Sequence, residues 1–240
     1  MDERETAGAA SDGTRVGAVL FDVDGTLVDT AFLHTVAWWQ AFRQADRTVA
    51  MARIHRAIGM GSDHLLEHLL GPDRDKDADG ELSSAHDALF AAHWPNLRPL
   101  DGADHLLRAC HRRGWRVVLA SSAKDAQLSA MRAALDAEAE IDAVTGADDV
   151  QSSKPAPDLV QRALERAGVA AHEAVFVGDT RWDVEAAARA GVPCVGMLSG
   201  GWSRAELEQA GAVEVYEDPA ELLGKLDASI LSRPPSPQRA

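Results

Sequence analysis

Six short apolar runs, at 16–21, 116–120, 143–145, 174–177, 194–197 and 213–215, punctuate a chain otherwise patterned with helical spacing. Helical patterns follow most of them, at 125–135, 158–167, 183–190, 204–209 and 219–226. Gly114, Gly168, Gly191 and Gly211 each close an Ala- or Arg-rich stretch, as residues that end helices in a left-handed turn do. Alternation of strand and helix predicts a parallel sheet, because each parallel connection must cross over a face of the sheet and cover it. The expected fold is α/β: a three-layer, doubly wound parallel sheet.

One segment breaks the alternation. From residue 30 to residue 96 there are helical patterns and no convincing strand. This stretch interrupts the chain between the first strand and the helix that leads to the second. It reads as an inserted α-helical cap domain (30–96), with hinges near 28–30 and 96–99. The core domain is then discontinuous, 16–29 with 97–228. Residues 1–15, rich in charge, Ala and Gly, read as a disordered lead-in. Residues 229–240, with Pro234, Pro235 and Pro237, read as a loose tail.

The chain has 240 residues, 46% of them hydrophobic, enough for one core and a smaller insert. A formal net charge of −14 opposes tight binding to nucleic acid or an anionic membrane, yet permits a locally positive pocket for a small anion. No apolar run approaches the roughly 20 residues that span a bilayer. Residues 1–14 lack the apolar segment of a signal peptide. Cys110 and Cys194 each lie beside an apolar run and form neither a metal-cluster spacing nor a disulfide framework. The expectations are a cytoplasmic setting, no nucleic acid, no membrane, and a monomer or weak homodimer.

Four short pieces fall at the C-terminal ends of the expected strands, the edge where open α/β sheets bind ligands. The first is Phe21-Asp22-Val23-Asp24-Gly25-Thr26-Leu27. Its two carboxylates, one residue apart, suit a hard cation such as Mg²⁺, and an ionised carboxylate can attack phosphorus. Gly25 and Thr26, in the turn that follows, are candidate phosphate-binding residues. The second piece, Leu119-Ala120-Ser121-Ser122, offers hydroxyls and backbone N–H groups to phosphate oxygens. In the third, Lys154-Pro155-Ala156-Pro157-Asp158, two prolines stiffen the backbone around a lysine whose charge opposes that of a phosphoryl group. The fourth, Val177-Gly178-Asp179-Thr180-Arg181-Trp182-Asp183, adds two carboxylates. Asp179 is placed to complete a metal site; Asp183 can ligate directly, through water, or orient a ligand.

The order DxDGTL, apolar strand ending in Ser, KPxPD, GDTxxD resembles the four motifs of the haloacid dehalogenase-like hydrolases. The helical insert resembles that superfamily's small cap, and Gly200-Gly201-Trp202-Ser203 with Glu206-Leu207 resembles a segment of its phosphatase branch. The resemblance implies Asp22 as nucleophile, Asp24 as general acid/base, Ser121 and Lys154 as phosphoryl clamps, and Mg²⁺ held by Asp22, the Asp24 backbone carbonyl, Asp179 and Asp183. It also implies strand order 5-4-1-2-3. The carboxylate at Asp24 favours phosphoryl transfer over dehalogenation, since an alkoxide leaving group needs a proton and a halide does not. The implied activity is Mg²⁺-dependent hydrolysis of a small phosphomonoester through an aspartyl-phosphate, with a small phosphorylated metabolite as the partner.

Two other readings stand beside it. Asp29-Thr30-Ala31 with His34 also resembles the β-phosphoglucomutase-like branch, where a histidine here couples cap closure to acid/base chemistry. The arginine which that mutase carries after an apolar-Gly pair is missing, because Met60-Gly61-Ser62-Asp63 follows Ile58-Gly59. A non-catalytic phosphate-binding regulator on the same fold is the other. In the cap, Arg53, His55, Arg56, Ser62, Asp63 and His64 are candidates to face the substrate, with Arg53 or Arg56 suited to a second anionic group. Two patterns there read as decoys. His64-Leu65-Leu66-Glu67-His68 matches a zinc-protease motif but reads as a charged helix face. Asp75-Lys76-Asp77-Ala78-Asp79-Gly80 starts like a calcium loop, but His86 stands where a bidentate Glu belongs. Trp38, Trp39 and Trp94 read as cap core, and Trp202 as a candidate for the pocket rim.

Overall fold

The strands form because their residues are apolar on both faces, which only a sheet covered on both sides can bury. The computed structural model describes residues 17–235. The elements run β1 (Gly17–Phe21), α1 (Ala31–Gln44), α2 (Met51–His55), α3 (Ser62–Leu70), α4 (Asp79–Ala91), α5 (Ala103–Arg112), β2 (Trp115–Ala120) and α6 (Asp125–Leu135). They continue with β3 (Ala143–Thr145), α7 (Asp158–Ala167), β4 (Ala174–Gly178), α8 (Arg181–Arg189), β5 (Cys194–Met197), α9 (Arg204–Ala210), β6 (Glu214–Tyr216) and α10 (Pro219–Gly224). The strands make one parallel sheet in the order β3-β2-β1-β4-β5-β6. The expected 5-4-1-2-3 order is present, and β6 extends it beyond β5.

Successive side chains of a strand point to opposite faces. Val19 and Phe21 of β1, Val117 and Leu119 of β2, and Val175 and Val177 of β4 therefore share one face. There they pack with Leu106 and Leu107 of α5, Met131 of α6 and Leu222 of α10. Ala18, Leu20, Val118 and Phe176 face the other way, onto Leu159 and Val160 of α7, Val184 of α8 and Leu207 of α9. These are the three layers.

Helices α1–α4 lie between β1 and β2 in sequence and share a third apolar cluster, centred on Trp38, Phe42, Ile54, Leu65, Leu66 and Leu82. The two chain passages that join them to the sheet run side by side. Asp29 N donates to Arg98 O at 3.1 Å, and Leu100 N donates to Leu27 O at 2.9 Å. The tryptophans divide. Trp38 is buried in this cluster, but Trp39 is 38% exposed and Trp94 packs against the α5–α6 side of the sheet. No described helix is long and apolar enough to cross a membrane. Both cysteines are buried and free.

Local chemistry moved several boundaries. Helix α8 starts at Arg181 rather than 183 because Thr180 caps it: Thr180 N donates to Asp183 Oδ2 at 3.0 Å, while Asp183 N donates to Thr180 Oγ1 at 3.3 Å. Gly80 falls inside α4, so the acidic stretch at 75–80 is a short turn with a helix start. There Asp75 accepts from Asp77 N at 3.1 Å. His64 of the zinc-like pattern meets Ser152 Oγ at 3.0 Å.

The expectation of a loose tail from residue 229 fails at 229–235. Leu231 is 0% exposed in the α5–α10 side of the core, and Trp115 Nε1 donates to Leu231 O at 3.1 Å. One leucine in a Ser- and Pro-rich stretch carries no periodic signal, yet its burial fixes the segment. Leu231→Ala should cost about 2–5 kcal/mol, the usual range for a buried leucine truncation, measured by denaturant unfolding. The 1–15 lead-in and residues 236–240 lie outside the described residues.

Candidate active site

β1 stays paired one residue beyond its end, with Asp22 N donating to Val177 O at 2.9 Å. The chain then turns through Gly25, whose φ of +76° suits glycine. Asp22 and Asp24 thus stand at the sheet's C-terminal edge. Ser121 at the end of β2, Asp179 at the end of β4 and Asp183 in the first turn of α8 converge on the same place. Lys154 joins them from the loop before α7.

The lysine is 1% exposed. Its Nζ donates to Asp22 Oδ1 at 2.5 Å and to Asp183 Oδ1 at 2.7 Å. Burial opposes its charge, but the two carboxylates outweigh burial and hold its pKa above the usual lysine value. Asp22 moves up to about 7, chiefly by burial and by the charges of Asp183 and Asp24, against the pull of Lys154. Asp179 is raised well above the ordinary value, by burial first and then by Asp183 and Asp22.

One oxygen of Asp179 accepts from Thr26 Oγ1 at 2.7 Å. The other, Oδ2, is buried and has no hydrogen-bond partner among the described residues. Two glycines frame it: a Cβ added at Gly200 would lie 1.7 Å from it, and one at Gly25 would lie 2.5 Å from it. Oxygens of Asp22, Asp179 and Asp183 lie within 4.8 Å of one another. Three buried carboxylates against one ammonium leave negative charge uncompensated, and the donors are hard oxygens. This set fits Mg²⁺. The Asp24 carboxylate is not in the group.

Asp24 instead turns to the helical layer. Its Oδ1 accepts from Thr30 Oγ1 at 2.8 Å and meets His34 Nε2 at 2.9 Å, while its Oδ2 accepts from Ser121 Oγ at 3.3 Å. Burial pushes this carboxyl up, but His34 and its hydrogen bonds prevail and hold it below the usual value. Two carboxylates two residues apart thus have different partners, Asp22 the Lys154 ammonium and Asp24 the Thr30 and Ser121 hydroxyls and the His34 ring.

A cavity of about 70 Å³ opens beside them, walled on the core side by Asp22, Asp24, Ser122 and Lys154 and on the helical side by Gly59 and Met60. At about 10–15 Å³ for each water-sized group, it holds on the order of five such groups. His34 and Ser62 also reach it. Thr26 and Gly25 support Asp179 from below instead of facing the cavity. Arg56 is a correction: it does not line the cavity. Its guanidinium lies 3.6 Å over the Trp202 ring and pairs with Glu206, so it ties α2 to α9. Trp202 is accordingly buried at that contact and is absent from the cavity walls. Arg53 donates to Leu69 O within the helical layer.

Sequence reasoning missed His86, Asp87 and Gln127, and named Thr30 only within a motif. Thr30 had a signal, since it sits directly before α1. Gln127 Nε2 lies 3.1 Å from His34 Nε2. His86 was hidden by the calcium-like pattern. On α4 it stands one turn before Phe90, on the face that meets α1.

The haloacid dehalogenase-like hydrolase family model matches residues 16–191. The phosphoglycolate phosphatase of Rhodospirillum rubrum is 34% identical over 216 residues, covering 85% of this chain and 88% of that protein. A hydrolase structure from Pseudomonas syringae superposes with TM-score 0.84 at 34% identity, covering 88% of this chain and 98% of the other. The structure of CbbY from Rhodobacter sphaeroides, in complex with phosphate, superposes with TM-score 0.72 at 26% identity, covering 86% and 96%. With the four motifs gathered at one sheet edge and relatives matched over most of their length, the chain belongs to the haloacid dehalogenase-like hydrolases.

Proposed function

We propose that this enzyme is a magnesium-dependent phosphatase that hydrolyses a small phosphomonoester through an aspartyl-phosphate on Asp22. One observation carries the reading: Asp22 is held against Lys154 at 2.5 Å while Asp24 is turned onto Thr30 and His34, so the two carboxylates have separate tasks.

Asp22 attacks phosphorus; the Asp22–phosphorus bond forms as the ester P–O bond breaks. Asp24 gives its proton to the departing oxygen. Asp24 then takes a proton from water, whose oxygen attacks phosphorus and frees Asp22. Lys154 and the hydroxyls of Ser121 and Ser122 hold phosphoryl oxygens, and the fixed ammonium offsets charge on nucleophile and phosphate together. Magnesium, held by Asp22, Asp179, Asp183 and the Asp24 carbonyl, would supply the remaining positive charge. The helices at 30–96 act as a cap that excludes bulk water and limits substrate size. The name of the Rhodospirillum relative and the small cavity make 2-phosphoglycolate the first substrate to test.

A sugar-phosphate mutase must hold a second phosphate. Among the described residues lining the cavity there is no arginine, and Lys124 is already paired with Asp87 at 2.7 Å. Hydrolysis is therefore favoured. Phosphate release from 2-phosphoglycolate and a panel of small esters, with and without magnesium, tests it. Magnesium-dependent release from at least one ester is expected; clean, metal-loaded protein that releases none contradicts it.

The metal reading has its own check. Asp22 and Asp179 carry folded-state pKa values above their unfolded ones, 3.8 rising to about 7 for Asp22. Stability from these groups is thus present at low pH and lost as pH rises from about 4 through about 7 in metal-free protein. Magnesium should raise Tm more at about pH 8 than at about pH 5, since at the lower pH it competes with protons. An equal rise at both would contradict this.

A further inference from the structure

The partnerless oxygen of Asp179, Oδ2, sits in a slot with two backbone walls. One wall is Gly25, in the turn after β1. The other is Gly200, in the short turn Leu198–Gly200 that follows β5. A Cβ at Gly25 would stand 2.5 Å from this oxygen and one at Gly200 would stand 1.7 Å from it, so neither wall has room for a side chain. The other oxygen of Asp179 is held from the Gly25 side, by the hydroxyl of the next residue, Thr26, at 2.7 Å. The direction in which Oδ2 points is thus set by where two loops, far apart in sequence, place their backbones.

One side chain joins the two walls. Ser199 Oγ donates to Gly25 O at 2.6 Å, reaching from the residue before Gly200 to the peptide that leads into Thr26. A hydroxyl has one proton to give, and this one is committed to the Gly25 carbonyl. Ser199 does not line the cavity. The turn that carries it is itself fixed. Gly201 N donates to Leu198 O at 2.9 Å, with Gly201 at a φ of +83°. The Gly200 carbonyl meets His55 Nε2 at 2.9 Å.

We propose that Ser199 is a positioning residue for the metal site: by tying Gly25 to the Gly200 turn it fixes the width of the slot around Asp179 Oδ2, and so favours magnesium over the larger calcium ion. The proposal rests on the magnesium site of the reading above. Magnesium demands a near-regular octahedron of ligands, whereas calcium accepts more ligands in looser arrangements. A carboxylate oxygen with a fixed direction suits magnesium. One that is free to swing loses that advantage and still serves calcium. Residues that only orient metal ligands carry about 10-fold to 100-fold of metal affinity.

Titration calorimetry of metal-free protein with magnesium chloride, and separately with calcium chloride, distinguishes this role from general support of the fold and needs no turnover. Ser199→Ala removes the hydroxyl and adds no bulk. It should weaken magnesium binding by about 10-fold or more and calcium binding by less than about threefold. Ser199→Thr keeps the hydroxyl and should bind magnesium within about threefold of the wild type. Unchanged magnesium affinity in Ser199→Ala, equal weakening of both ions, or the same magnesium loss in both variants would overturn the proposal. Wild-type protein that binds neither ion would overturn the magnesium reading, and this proposal with it. Selective loss of magnesium in Ser199→Ala, in a protein whose wild type releases phosphate from no ester, would support the proposal and contradict the phosphatase chemistry alone.

Discussion

Asp22→Asn lowers kcat by about 10⁴-fold or more, the scale on which removing a covalent nucleophile acts, and leaves the protein folded. The size of the loss follows from its position. Asp22 is the one carboxylate that is both 2% exposed and within 2.5 Å of the fixed Lys154 ammonium at the cavity wall. An amide there keeps a hydrogen-bond acceptor for Lys154 but does not attack phosphorus. It also removes one negative charge from a cluster of three buried carboxylates. Metal-free Tm should therefore not fall below that of the wild type. Full loss of phosphate release at unchanged Tm separates lost chemistry from lost structure. A binding protein that never turned over substrate would show no such difference between the two chains.

Lys154→Met has the opposite signature, losing stability and activity together. Its Nζ joins Asp22 and Asp183, and all three are essentially withdrawn from solvent. Removing one partner of a buried pair leaves uncompensated charge and costs about 3–5 kcal/mol. In a domain of this size that lowers Tm by on the order of 10 °C. The deficit should deepen with rising pH, as the stranded carboxylates ionise, and added magnesium should recover part of it. Thermal unfolding at two pH values, with and without metal, reads all three effects. A variant as stable as the wild type at high pH without metal would mean that the lysine is not balancing these carboxylates.

The sheet was legible because its strands are buried on both faces, so Leu20, Val118 and Phe176 sit in apolar runs that stand out from the helical pattern. The carboxylates were legible because Asp22, Asp24, Asp179 and Asp183 fall directly after such runs, where a sheet presents its ligands. What was not legible depends on contacts between distant segments. Arg56 has the composition of an anion-binding residue, and only the fold reveals that Trp202 and Glu206 occupy it. Gly200 resembled a family segment, but its reason is spatial: Asp179 fills the place of any side chain there. His86 needed the crossing of α1 and α4 to meet His34. Leu231 needed the underside of the sheet to receive it.

If the phosphoryl group passes through Asp22, chemical trapping captures it there. Wild-type protein turning over its best ester in magnesium is quenched with borohydride, which reduces an acyl-phosphate to an alcohol, and digested for mass spectrometry. Homoserine is expected in place of aspartate at position 22, dependent on both substrate and magnesium and absent from metal-free controls. Steady phosphate release with aspartate intact at position 22, or with the reduced residue at another carboxylate, would contradict it.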